Sequence, residues 1–178
     1  MFSISRANYY GDLILIPLYL LVILYAAIGT ASLGLLVGFA AWSLTEYLLH
    51  RFVFHHFPWI RDEHDRHHQS PGSYIGVSTG FFLLPASLLV IGLYFLVGSL
   101  PAAFIICGYL LGYLLYLFVH DAIHHSRILP SSWLYKISMH HQEHHREEIF
   151  PALTADQMHL VGRRFGVTSS FWDKVFGT

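Results

Sequence analysis

Four apolar runs, residues 13–31, 33–50, 75–98 and 101–120, restrict this chain to a helical, membrane-embedded fold. Crossing about 30 Å of hydrocarbon takes roughly 20 helical residues, and each run reaches or approaches that length. Inside hydrocarbon the backbone must satisfy its own N–H and C=O groups, which an α-helix does within one segment. The breaks at residues 29–32 and 98–101 are short enough to make helical hairpins. Pro85 lies within the third run and is expected to kink it locally. The first run follows Arg6, as a signal peptide would, but exceeds the roughly 7–15 apolar residues of a signal segment and reads as a retained span. Composition agrees: 54% of the 178 residues are hydrophobic and 12% are charged, against about 25% charged in soluble domains.

Charge sets the orientation. The two tight turns carry no Lys or Arg. All ten basic residues, Arg6, Arg51, Arg61, Arg66, Arg127, Lys136, Arg146, Arg163, Arg164 and Lys174, fall on the other side. The positive-inside rule places that side in the cytoplasm, with both termini. A bacterial inner membrane or the endoplasmic reticulum would fit. A net charge of −1 argues against a nucleic-acid partner. The expected architecture is a single all-α domain over residues 1–178. It has four transmembrane helices in two hairpins and a cytosolic, histidine-rich helical cap formed by residues 50–73 and 120–178.

That cap carries the chemistry. The chain has 14 histidines, and seven of them fall within the 26 residues 120–145. Its one cysteine, Cys107, can form neither an internal disulfide nor a thiolate metal site. Neutral imidazole is the commonest protein metal ligand, so metal binding here is a matter of histidine. His50 and His55 read H-x4-H; His64, His67 and His68 read H-x2-HH; His120 and His124 read H-x3-H; and His141, His144 and His145 repeat H-x2-HH. On a helix, positions i, i+3 and i+4 share a face, so each H-x2-HH is expected to offer its rings to a common point. Eight to ten convergent imidazoles exceed one ion's four to six ligands and imply two metals. His125 beside His124, and His140 beside His141, leave the register open. His56 and His159 read as structural histidines.

Carboxylates complete the picture. Glu46 lies one turn before His50 inside an apolar run, where an acid is costly and by default functional. Asp121, four residues before His125, could hold a ring. Both are candidates to orient ligands from behind. Asp62, Glu63, Asp65, Glu143, Glu147 and Glu148 read as a solvated rim. A short helix is expected over residues 61–68. A second is expected to start at Ser131 or Ser132 as N-cap and run toward Glu147. Its Trp133, Leu134, Ile137 and Met139 suit the membrane interface.

EYLLHRFVFH (46–55), HDRHHQSP (64–71), YLFVHDAIHH (116–125) and HQEHH (141–145) together resemble the histidine boxes of the fatty acid hydroxylase and sterol desaturase superfamily. FGVTSSFWDKVFGT (165–178) is similar to the C-terminal signature of the fatty acid 2-hydroxylases. The resemblance implies ten ligands: His50, His55, His64, His67, His68, His120, His124, His141, His144 and His145. It also implies two metal ions, with iron expected for activity and zinc possible in purified protein, O2 as co-substrate, and a lipid acyl chain hydroxylated at C-2. Tyr113, Tyr116 and Phe118 would line the acyl channel, although helix aromatics more often simply pack. The chain leaves no room for the fused cytochrome b5-type domain of many relatives, so electrons are expected from a separate donor: a cytochrome b5-type protein, a ferredoxin or a reductase. Asp65 departs from the glycine expected there, and the segment 146–164, which carries His159, is longer than expected.

Three other readings compete. Carotenoid β-ring hydroxylases have similar boxes, with an H-x4-H third box that His120 and His125 would satisfy. A transmembrane haem protein would pair histidines inside the bilayer rather than at span ends. A metal transporter would carry polar residues along its spans, and residues 13–31 and 75–98 hold no charge.

Overall fold

The computed structural model describes residues 10–26, 33–76, 79–149 and 164–178. Among these residues the structure is entirely helical. Helix α1 is Gly11–Ala26 and α2 is Leu33–Leu48, which continues as a π-helical stretch, Leu49–Phe54. Then follow α3 (Pro58–Gln69), α4 (Thr79–Val97), α5 (Ser99–His125), α6 (Trp133–Ile149) and α7 (Phe171–Phe176). Helical structure thus runs past the expected span ends, to Phe54 in one case and to His125 in the other. Pro58 opens α3, three residues before the expected start at 61, because a first-turn residue has no intrahelical use for the N–H that proline lacks. Ser132 caps α6, its Oγ accepting the Tyr135 N–H at 3.0 Å. The break at residues 29–32 and His159 lie outside the described residues.

The chain forms two compact units. One draws on the chain up to Ser43 and on Gly76–Leu117. Its core is Ile16, Leu20, Trp42, Ala102, Ile106, Cys107, Leu110 and Tyr113. Two glycine pairs spaced by four, Gly34/Gly38 on α2 and Gly108/Gly112 on α5, let these helices touch backbone to backbone. A Cβ at Gly38 would run into the Ile105 carbonyl, and one at Gly108 into the Leu35 carbonyl. Small-residue contact of this kind is how helices pack where lipid removes the hydrophobic drive. The α4–α5 turn is Gly98, at φ 84°, with its N–H on the Tyr94 carbonyl; only glycine takes that left-handed conformation without cost. The outward side chains of this unit are large and apolar, Phe95 and Leu96 being 80% and 79% exposed, as lipid but not water would favour. Among the described residues, two helical segments, Leu33–Phe54 and Pro101–His125, are long and apolar enough to cross a membrane.

The other unit comprises Leu44–Ile75 and Phe118–Thr178. Here α3 packs on the π-helical stretch and on α6. Its interior combines apolar side chains such as Tyr47, Val119 and Val167 with a large set of buried polar ones: His50, His67, His68, His141, His144, His145, Glu46 and Asp173.

Candidate metal centre

The π-helical stretch is the first device of the site. In an α-helix a residue five positions on lies about 140° around the axis. The wider π-helical turn, bonded i to i+5, brings His55 back onto the face of His50. Both then reach one nitrogen: His64 Nε2 lies 3.1 Å from His50 Nε2 and 3.2 Å from His55 Nε2. His68 Nε2 stands 2.9 Å from the same atom.

Ring nitrogens of His50, His55, His64, His68 and His144 lie within 4.8 Å of one another, and so do those of His67, His124, His141 and His145. In the second group His141 Nε2 is 3.1 Å from His124 Nε2 and 3.0 Å from His145 Nε2. The groups adjoin, with the rings of His68 and His145 stacked at 4.1 Å. His120 stands beside the second group, its ring 4.6 Å from His124 and 4.8 Å from His67.

The expected convergence of each H-x2-HH on one point is corrected. The outer pair of each motif serves one group and the middle histidine serves the other. Helical geometry explains it: i and i+4 differ by about 40°, whereas i+3 and i+4 differ by about 100°. His64 and His68 therefore face one point while His67 faces another. His141 and His145 likewise diverge from His144. Each group thus takes one ligand from the partner segment.

The neighbouring histidine pairs differ in their surroundings. His124 points into the second group, while His125 stacks on Tyr74 at 5.0 Å and faces Asp121 at 4.0 Å. His141 is fully buried in that group, while His140 Nε2 meets Asp173 Oδ2 at 3.0 Å. Asp121 thus addresses His125, not a member of either group.

These nitrogens fit metal ions better than one another. A neutral imidazole nitrogen donates or accepts one hydrogen bond, yet His64 Nε2 faces three others. Both nitrogens of His67, and Nδ1 of His141, are buried without a hydrogen-bond partner. Metal–imidazole bonds of about 2.0–2.1 Å would bring the nitrogens of one site to roughly 3–4 Å from one another, in keeping with the 2.9–3.2 Å spacings around His64 Nε2 and His141 Nε2. Burial, then the neighbouring histidines, holds His64 and His141 well below the usual imidazole range. Burial lowers His67 to about 4. These three rings are therefore neutral and ready to ligate at neutral pH.

Other candidates lie elsewhere. Glu46 touches none of the grouped rings through the hydrogen bonds seen; its carboxylate accepts from Val167 N–H, Thr168 N–H and Thr168 Oγ. Tyr113 donates to Asp12 at 2.6 Å and packs with Trp42 and Tyr116. Phe118 is 60% exposed. The rim carboxylates pair at the surface, Asp62 with Arg61, Glu63 with Arg66 and Glu143 with Arg146. Sequence reasoning missed Asp173, which is 2% exposed. Its signal was a lone acid among aromatics in FWDKVF.

The sequence model of the fatty acid hydroxylase family matches residues 35–178. Fatty acid 2-hydroxylase of Rattus norvegicus is 34% identical over 164 residues, spanning 85% of this chain and 39% of that protein. The ceramide very long chain fatty acid hydroxylase SCS7 of Saccharomyces cerevisiae is 34% identical, over 80% of this chain and 36% of its own length. The dihydroceramide fatty acyl 2-hydroxylase FAH2 of Arabidopsis thaliana is 32% identical, over 83% and 61%. The chain thus spans well under half the length of the rat and yeast relatives. In fold it is similar to the visible hydroxylase domain of full-length Scs7p, with TM-score 0.73 and 23% identity, over 96% of this chain and 66% of that one.

Proposed function

This chain belongs to the fatty acid hydroxylase family, and on that premise we propose that it is a membrane monooxygenase that hydroxylates C-2 of a lipid acyl chain, on a fatty acid or a sphingolipid N-acyl group. The observation that carries this is the pair of adjoining, largely buried, all-histidine groups. Breaking an unactivated C–H bond is beyond acid–base side chains. Two iron ions, held by His50, His55, His64, His68 and His144 and by His67, His120, His124, His141 and His145, would supply the oxidising chemistry. The overall change balances as RH + O2 + two electrons + two protons → ROH + H2O. The electrons would come from a donor of cytochrome b5, ferredoxin or reductase type.

The protein's own part is to keep the rings neutral, orient them and exclude water. Four spans with both termini and the site on the cytosolic side would leave the acyl tail in lipid while its polar end reaches the histidines. Relatives named for acyl and ceramide hydroxylation support the substrate class. A carotenoid ring as substrate is not favoured, because the spacing it needs uses His125, which stacks on Tyr74.

The test is expression in a host without such enzymes, with a matched electron donor, and lipid analysis by mass spectrometry. Acyl chains should gain one oxygen at C-2, and His144→Ala should abolish the gain. Unchanged lipids with donor and iron supplied would reject the proposal.

A further inference from the structure

One assembly in the histidine-bearing unit, anchored by buried Phe165, Val167 and Asp173, holds none of the grouped nitrogens and yet reaches one of them through a backbone carbonyl. It is the C-terminal segment 165–178. Two carboxylates grip its first four residues. Glu46, 4% exposed, accepts the N–H groups of Val167 and Thr168, both at 2.8 Å, and the Thr168 hydroxyl at 2.7 Å. Asp173 accepts the N–H of Phe165 at 2.7 Å and of Gly166 at 3.0 Å. Any side chain at Gly166 would meet the Ser169 carbonyl and Asp173. Asp173 also meets His140 Nε2 and the Thr178 hydroxyl, at 3.0 and 3.2 Å. A buried carboxylate is costly unless it is fully hydrogen-bonded, and both of these recover that cost by holding one loop.

The gripped loop acts on one histidine group. His50 Nδ1 donates to the Phe165 carbonyl at 2.6 Å. That bond fixes the proton on Nδ1 and leaves Nε2 as the lone-pair nitrogen facing His64. The Phe165 ring also lies 5.9, 5.6 and 5.7 Å from those of His50, His55 and His144. All three belong to the five-histidine group.

We propose that Glu46 and Asp173 are positioning residues that act through residues 165–168 to hold the five-histidine group in ligating geometry, so that retention of one ion depends on the C-terminal segment and retention of the other does not. This rests on the reading of the two groups as metal sites. Partners that orient a ligand from behind set metal affinity by about 10–100-fold, and that is the expected loss at the five-histidine site.

The test uses the full chain in detergent, loaded with iron or cobalt(II), dialysed against a weak chelator and assayed for metal per chain and for the cobalt absorption bands. Wild type should hold two ions. Glu46→Gln and Asp173→Asn should each fall toward one, with the bands of the remaining ion unchanged. That remaining ion also reports that the fold is intact. Thr168→Val removes a single hydroxyl contact and should show a smaller loss in the same direction should the carboxylate variants fail to fold. Variants that keep two ions at wild-type affinity, or that lose both in parallel, would overturn the lock alone. A wild-type chain that holds no metal would overturn the two-metal reading as well.

Discussion

His124 and His125 are neighbours on α5 with opposite surroundings. His124 Nε2 lies 3.1 Å from His141 Nε2, whereas His125 stacks on Tyr74 and faces Asp121. His124→Ala should therefore remove a ligand and cut lipid hydroxylation by more than about 100-fold, beyond the 10–100-fold typical of an outer partner. His125→Ala should keep both ions and most of the product, read as metal per chain and as hydroxylated acyl chains. Loss of metal in His125→Ala, with His124→Ala unaffected, would reverse the assignment. The spacing H-x3-H pointed to His124, but adjacent histidines cannot be told apart from spacing alone. Which one faces inward follows from where α6 lies against α5, and that is a packing outcome. Glu46 was legible as functional because an acid in an apolar run is expensive. Its partners, 121 and 122 residues away in sequence, were not.

Two elements carry the organisation: the glycine-paired contact of α2 with α5, and the divergent histidines of α3 and α6. The glycine contact leaves no room for a methyl group at Gly38 or Gly108. Gly108→Ala should destabilise the chain by at least the 1–3 kcal/mol, roughly, of a core overpacking change. The measurement is the detergent-solubilised melting temperature, with the exposed Gly92→Ala expected to change little. Equal behaviour of the two variants would mean that the helices move apart freely. The sequence announced the helices α3 and α6 through their H-x2-HH motifs, and Ser132 announced the start of one. It did not announce the exchange of His67 and His144 between groups. Each motif spans more than one face, and only the packing of α3 on α6 places a second centre within reach of the third ring. His144→Ala should therefore weaken a site built otherwise from residues 50–68, and metal per chain should fall toward one.

At the scale of the whole molecule, the proposed metal ions should couple to the fold. An ion that binds only the folded chain adds about 2.7 kcal/mol when present at 100 times its Kd, so chelation should lower the melting temperature and re-addition of iron should restore it. The metal-free chain should also be acid-sensitive. His67 is held at about 4 in the fold against an ordinary 6.5, so the unfolded chain takes up the proton first. Stability then falls as pH drops from about 6.5 toward 4 and is regained on return. A metal-free melting temperature that is flat across that window would contradict the burial of neutral rings.

The sequence by itself determined that the chain is helical, apolar over long runs and built around histidines at the ends of those runs, because hydropathy and ligand type are properties of residues and short segments. Tertiary structure alone decided how the nitrogens divide into a group of five and a group of four, and that Asp173 and the Phe165 carbonyl stand behind one of them. Those assignments depend on distances between segments far apart in the chain, and no local spacing encodes them.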